Sequence, residues 1–280
     1  MKILKYLVLL LSIIVMGASI AQNTSDQGDD QFSPSVGQDG KDVIWVPTGN
    51  ELIIKMLQTA QVSPKDLVYD LGAGDGKIAI SAAKDFGARA VGIEYNESMA
   101  ALGQRNAVRA GVADKVKIIQ GDIFKEDFSK ASVVTLYLLP ELNLKLRPTI
   151  LKMKPGTRVV SHAFTMGDWE ADIEIDKPGK AYYWKVPANV VGEWTLDYSA
   201  PQTKTTLSLV QHFQRIGGML TIGRNTQPII NPKLDGNKLQ FGYLDAKNNY
   251  HTVRATVTDS TIKGEDRGDT IYNEFSGKRN

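Results

Sequence analysis

The sequence predicts an α/β domain built on a doubly wound, mainly parallel sheet, followed by a smaller all-β barrel or sandwich. Three observations carry this expectation. Strand-like and helix-like patterns alternate regularly from Leu67 to Val186, the order that builds a parallel sheet covered on both faces. A glycine-rich turn, Gly72-Ala73-Gly74-Asp75-Gly76, joins the first strand to an Ala/Ile-rich helical stretch. From Val190 onward the alternation gives way to short strands separated by Gly and Asn turns, which places a boundary near residue 188.

The totals limit the function classes. With 280 residues, 42% of them hydrophobic and 23% charged, the chain has the composition of a folded globular protein. A net charge of +2 gives no electrostatic case for nucleic acid or an anionic membrane surface, so no nucleic-acid partner is expected. The absence of cysteine excludes disulfides, thiolate metal sites and a cysteine nucleophile. Three histidines make a His-rich metal centre a poor fit, and no metal is expected.

At the N-terminus, Lys2 and Lys5 precede an apolar run from Tyr6 to Met16, and Ser19-Ile20-Ala21 fits the small-x-small rule for cleavage. Residues 1–21 therefore read as a secretory signal peptide of bacterial type, and the chain as exported or periplasmic. The alternative is an uncleaved anchor, in which residues 6–21 would be the chain's contact with a membrane. Residues 22–42, rich in Gln, Asn, Ser, Asp and Gly, read as a flexible linker.

Order is expected from Val43. Glu51 to Leu57 reads as a helix, with Thr48 or Asn50 as its cap. Leu67-Val68-Tyr69 is the first strand, followed by the glycine turn and a helix to Phe86. Ala88 to Glu94 is a second strand, and Glu97 to Ala110 a second helix closed by Gly111. Lys115 to Gln120 is a third strand. Ser132 to Leu139 is a fourth, apolar enough to be central and buried on both faces. Glu141 to Lys152 is helical, with a kink or restart expected at Pro148. Arg158–Ala163, Ala171–Ile175 and Ala181–Val186 complete the sheet. Six strands are expected in the C-terminal region: 191–198, 205–214, 219–223, 238–243, 251–258 and 271–275.

The glycine turn narrows the cofactor. Its spacing, Gly72-x-Gly74-x-Gly76, differs from the G-x-G-x-x-G of a dinucleotide site. Asp70 precedes the turn and Asp75 lies inside it. Two carboxylates oppose a pyrophosphate but suit a ligand carrying ammonium and sulfonium cations. Glu94, twenty positions beyond Gly74, ends the second strand, where a carboxylate accepts hydrogen bonds from ribose hydroxyls. Asp122, after the third strand, is placed for an adenine amino group, with Ile123 or Phe124 against the ring; Ile93 and Tyr95 add apolar contact. These parts together describe S-adenosylmethionine.

Residues 43–187 resemble a class I S-adenosylmethionine-dependent methyltransferase. Asp70-Leu71-Gly72-Ala73-Gly74-Asp75-Gly76 matches that family's first motif, and Glu94 and Asp122 match its second- and third-strand acids. The resemblance implies a Rossmann-like, seven-stranded methyltransferase sheet. A narrower likeness runs through Val46-Pro47-Thr48, Glu51, Met56-Leu57 and Val68 to Gly72. It is to the lysine methyltransferases that modify the ATP synthase c subunit and the adenine nucleotide translocase. In those the Pro-Thr segment lies over the cofactor, which makes Thr48 and Glu51 candidate contacts. The implied acceptor is a protein lysine or another amine.

The fourth strand ends in Tyr137-Leu138-Leu139-Pro140-Glu141, where this fold places the acceptor, so Tyr137 and Glu141 are the catalytic candidates. His162, with Ser161, Phe164 and Trp169 nearby, reads either as a hydrogen-bonded structural histidine or as a proton acceptor. Methyl transfer needs little acid–base machinery, because holding donor and acceptor in line supplies most of the rate. An alternative reading is an exported binding protein with a non-catalytic nucleotide-fold domain. It rests on Gly192-Glu193-Trp194, which resembles the start of lipocalin-like barrels that hold apolar ligands.

Overall fold

The computed structural model describes residues 28–42, 44–198, 203–269 and 271–280. The expected signal segment at 1–21 and residues 22–27 of the expected linker lie outside the described residues.

The first sheet has seven strands. β1 (Leu67–Leu71), β2 (Arg89–Glu94), β3 (Val116–Gln120), β4 (Val133–Leu136) and β5 (Arg158–His162) run parallel. β7 (Ala181–Lys185) is antiparallel to β5, and β6 (Ile173–Ile175) pairs with β7. The order β3-β2-β1-β4-β5-β7-β6 reverses direction between β1 and β4. That reversal opens a crevice beyond the carboxyl ends of the strands, the place where such sheets take ligands.

Four helices cover the sheet: α1 (Asn50–Thr59), α2 (Lys77–Phe86), α3 (Glu97–Arg109) and α4 (Pro140–Ile150). α1 starts after Gly49 with no side-chain cap, neither Thr48 nor Asn50 serving as one. α2 buries Ile78, Ala79, Ala82 and Ala83 at helical spacing and stops at Gly87, whose φ of 73° favours glycine. Asn96 caps α3 by accepting the Met99 N–H at 3.0 Å. α4 runs through Pro148 as one element, without the expected restart. Pro148 and Leu144, the residue whose carbonyl it leaves unpaired, are both exposed, so water can satisfy that group.

Two apolar cores lie on opposite faces of this sheet. One joins Val68, Val133 and Val160 to Ile53, Met56 and Leu57 of α1 and to the alanines of α2. The other joins Leu71, Ile93, Val134 and Leu136 to Leu146 and Ile150 of α4 and to Trp169 and Trp184. Every residue of β4 is buried, which is why its sequence lacks a polar alternation.

The C-terminal region forms a nine-stranded antiparallel sheet: β8 (Gly192–Tyr198), β9 (Thr205–His212), β10 (Arg215–Ile222), β11 (Asn225–Pro228), β12 (Ile230–Asp235), β13 (Lys238–Leu244), β14 (Tyr250–Thr258), β15 (Thr261–Arg267) and β16 (Tyr272–Arg279). β8 pairs with β16, and the Ile229 N–H donates to the Gly218 carbonyl at 3.1 Å, so the sheet curls toward closure. Sequence reading misses β11, β12 and β15. β15 is largely charged or polar, β12 carries Pro232 and β11 has four residues. The inward face is filled by Trp194, Leu207, Phe241 and Val253, in place of the open apolar cavity that a lipocalin-like reading expects. Trp194 donates Nε1–H to the Val190 carbonyl at 2.9 Å and lies under the Arg279 guanidinium.

The two sheets touch. Phe213, at the β9–β10 turn, stacks on Trp169 with centroids 5.9 Å apart, and Arg215 pairs with Glu170 at 2.5 Å. The expected linker also makes defined contacts. Over its described residues 28–42 it lies against the first domain, because its scattered charges find partners: Asp29 takes Arg105 of α3 at 2.6 Å, and Lys41 takes Asp122 at 2.9 Å.

Candidate active site

A cleft of about 260 Å³ opens at the carboxyl ends of β1, β2 and β4. Its floor is the turn between β1 and α2. The Gly72 and Ala73 N–H groups both donate to the Ile93 carbonyl, at 2.9 and 3.0 Å, which ties the turn to β2. Gly72 sits at φ 82° and Gly74 at φ 55°, conformations that side chains rarely adopt. A Cβ on Gly72 would meet Leu138 at 2.9 Å, and one on Gly74 would meet the Trp45 indole nitrogen at 2.7 Å. Bare backbone is therefore what the cleft presents at these two positions.

Glu94 clamps the same turn. Its Oε2 accepts the Gly74 N–H and its Oε1 the Asn96 N–H, each at 2.9 Å. The carboxylate thereby joins the glycine turn to the start of α3, and it lines the cleft with acceptor capacity left on both oxygens.

Asp70 is buried at the end of β1. Burial pushes its carboxyl up to about 7; the Thr135 hydroxyl, donating at 2.6 Å, opposes this, while the nearby Asp75 and Glu94 charges reinforce it. Asp70 Oδ2 has no hydrogen-bond partner among the described residues, yet the residue lines the cleft. A buried carboxylate oxygen left open is costly unless something bound there completes it. A cationic aminoacyl arm fits that description, as a phosphate does not.

At the other end, Asp122 accepts the Phe124 N–H at 3.0 Å and pairs with Lys41. The backbone bond and then Lys41 hold its carboxyl below the ordinary range. Tyr95 lies half-exposed beside it, with the Lys41 ammonium 4.6 Å from its ring centroid.

The remaining wall belongs to the ends of β4 and β5. Tyr137, Leu138, Leu139, Leu142 and Phe164 line it. The His162 ring packs on Tyr137 with centroids 3.8 Å apart, and its Nδ1 is 3.0 Å from the Thr48 hydroxyl. Burial lowers the His162 pKa, so the ring is neutral at physiological pH. The structural reading of His162 thus has a partner, and His162 itself does not line the cleft.

The structure brings together Thr48, Asp70, Gly72, Ala73, Gly74, Asp75, Glu94, Tyr95, Asp122, Ile123 and Tyr137 around one opening. Three expected residues fall elsewhere. Glu51 is exposed in the first turn of α1, where an acid suits the helix N-terminus. Glu141 is likewise exposed in the first turn of α4, and its neighbour Leu142 faces the cleft instead. Gly76 does not line the cleft; its backbone packs on Gly103 of α3, where a Cβ would meet the Gly103 Cα at 3.3 Å. Sequence reading missed Lys41, Trp45, Asn96, Met99 and the wall residues Leu138, Leu139 and Leu142. Only the apolar residues after β4 carried a signal: Leu138 and Leu139 in a stretch read as strand, Leu142 in one read as helix.

Comparisons with known proteins agree with this geometry. A family model described as the ANTKMT methyltransferase domain matches residues 70–173. A protein-lysine N-methyltransferase of Saccharolobus islandicus (strain REY15A) is 46% identical over 129 residues, which are 45% of this chain and 80% of that one. The chain belongs to this methyltransferase family. The human lysine N-methyltransferase named for the ATP synthase c subunit is 32% identical over 123 residues, and the chain spans about half (51%) of that relative's length. A crystal structure described as an RNA methyltransferase from Salinibacter ruber, in complex with S-adenosyl-L-homocysteine, superposes with a TM-score of 0.51. It is 48% identical and covers 52% of this chain and 96% of its own. The protein is thus an S-adenosylmethionine-dependent methyltransferase, and the reading of a non-catalytic nucleotide-fold domain gives way to it. The match ends well before β8, so the nine-stranded sheet is an addition to the methyltransferase core.

Proposed function

We propose that this methyltransferase transfers its methyl group to lysine side chains of proteins. The observation that carries the reading is the 46% identity to a protein-lysine N-methyltransferase of which the chain spans 80%. The acceptor end supports it. An amine must be neutral to attack, and the apolar wall of Tyr137, Leu139, Leu142 and Phe164 disfavours an ammonium ion by desolvation.

S-adenosylmethionine, when bound, supplies an electrophilic methyl group on a sulfonium. The chain's residues orient it. Gly72, Ala73 and Gly74 offer backbone, Asp70 and Asp75 hold the cationic aminoacyl arm, and Glu94 takes the ribose. Asp122 and Ile123 would take the adenine, with Tyr95 and Thr48 lining the same cleft. Tyr137 positions the acceptor nitrogen for in-line attack.

Two measurements test this. Titration with S-adenosylhomocysteine shows saturable binding that Gly74→Arg abolishes, because an arginine side chain at that turn collides with Trp45. Incubation with methyl-labelled cofactor then labels poly-L-lysine, and acid hydrolysis recovers methyl-lysine. A second reading, RNA methylation, is favoured by the description of the Salinibacter ruber relative. The net charge of +2 opposes it, and label entering RNA but not poly-L-lysine would overturn the lysine assignment.

Export belongs to the same proposal. Lys2 and Lys5, the apolar run to Met16 and Ser19-Ile20-Ala21 support a secretory signal. Reporters active only inside or only outside the membrane, fused to the chain, test it; signal from the inside reporter alone refutes export.

A further inference from the structure

The loop after β5 holds a non-glycine residue in a left-handed conformation beside the cleft. Ala163 sits at φ 63°, a region that non-glycine residues rarely enter. The Phe164 N–H donates back to the His162 carbonyl at 2.8 Å and closes a three-residue turn, a strained conformation. Neighbours hold the turn from outside. The Ala163 N–H donates to the Lys180 carbonyl at 2.8 Å, and Thr48 bonds His162.

A further hold comes from Asn143 on α4, which is fully buried. Its Nδ2 donates to the Thr165 carbonyl at 3.2 Å, the Phe164 carbonyl at 3.4 Å and the Ser161 hydroxyl at 3.2 Å. The two carbonyls fix the orientation of the amide, since a flipped group would set oxygen against oxygen. Asn143 Oδ1 then has no hydrogen-bond partner among the described residues. A buried unsatisfied acceptor and a strained alanine both lower stability. The turn they maintain carries the Phe164 ring beside Tyr137, with centroids 6.4 Å apart and planes 25° from parallel. Both rings line the cleft, whereas Asn143 and Ala163 do not.

We propose that Asn143 is a positioning residue for methyl transfer: it holds the strained Ala163 turn so that Phe164 and Tyr137 form the wall that aims the acceptor. The proposal rests on the methyltransferase assignment and is independent of which acceptor is used. Its logic is that small displacements of an aimed group cost much rate and little cofactor affinity.

Three variants of the full chain test it. Asn143→Asp keeps the shape but sets a carboxylate against two carbonyls. Asn143→Ser keeps a buried polar group but is too short to reach both carbonyls, and it decides the matter if Asn143→Asp fails to fold. Ala163→Gly, which suits the positive φ and keeps the Asn143 bonds, retains wild-type activity. In Asn143→Ser the chain stays folded by circular dichroism and S-adenosylhomocysteine binds as in wild type. In the same variant, amides of residues 162–166 exchange hydrogen faster. Its kcat/KM toward whichever polymer the wild type methylates, poly-L-lysine or RNA, falls by about 100-fold. Unchanged exchange with unchanged kcat/KM overturns the proposal, as does a parallel loss of cofactor affinity and activity. Wild-type labelling of RNA alone refutes the lysine assignment while the variants still decide this one.

Discussion

Lys41 Nζ lies 2.9 Å from Asp122 Oδ2, joining residues 81 apart in sequence. The pair closes the segment before α1 over the third-strand acid proposed to take the adenine. Each charge favours the other's ionised form, and both sit near the protein surface, where salt screens them.

Lys41→Ala is therefore expected to speed cofactor release more than it slows entry. A rise of about two- to fivefold in the S-adenosylhomocysteine dissociation rate is the scale for an exposed pair. Stopped-flow measurement at low and high salt checks it. The wild type at high salt should approach the variant, and a salt-insensitive difference would contradict the mechanism.

The open Asp70 oxygen makes stability and binding depend on pH in opposite ways. Its folded pKa of about 7 lies above the ordinary 3.8, so the native apo protein holds the extra proton between those values. That stabilising contribution is complete below about pH 4, falls by up to about 1.4 kcal/mol per pH unit as pH rises, and is gone above pH 7. A cationic ligand prefers the ionised carboxylate, so affinity for S-adenosylmethionine should rise from pH 5.5 to about 7.5. Asp70→Asn should flatten both curves, as denaturation and calorimetry at matched pH will show.

Glu94 accepts a backbone N–H on each oxygen. Glu94→Gln would face one of those donors with another and would remove an acceptor for the ribose. Loss of charged hydrogen bonds of this kind predicts about 10- to 100-fold weaker S-adenosylhomocysteine binding. Calorimetric titration measures it directly.

Trp169, Trp184 and Trp194 are fully buried, whereas Trp45 lines the cleft against Gly74. Cofactor addition should therefore change the intrinsic fluorescence mainly through Trp45. Trp45→Phe should abolish most of the change while leaving a saturable calorimetric signal. A full fluorescence response in that variant would contradict the placement of the indole.

The methyltransferase core was legible because its signals are local. A β-branched run, alternate glycines and an acid at a strand end each follow from backbone geometry within a few residues, and Gly72, Gly74, Asp70, Glu94 and Asp122 all reached the cleft. Glu51, Glu141 and Gly76 do not line the cleft, because a motif gives a residue's position along the chain, not the side on which it faces out of a helix or turn. The later sheet was harder. β15 is stabilised by pairing with β14 and β16, so its charged sequence needed little intrinsic strand preference.

The sequence by itself thus determined the order of elements in the methyltransferase core, the glycine turn and the identity of the methyl donor. Tertiary structure alone decided which side chains meet across long separations: Lys41 with Asp122, Thr48 with His162, Asn143 with the Ala163 turn. The physical reason is that no local pattern encodes these contacts. They exist because separate strand ends and helix starts converge on one crevice, where burial favours pairing of the polar groups brought together.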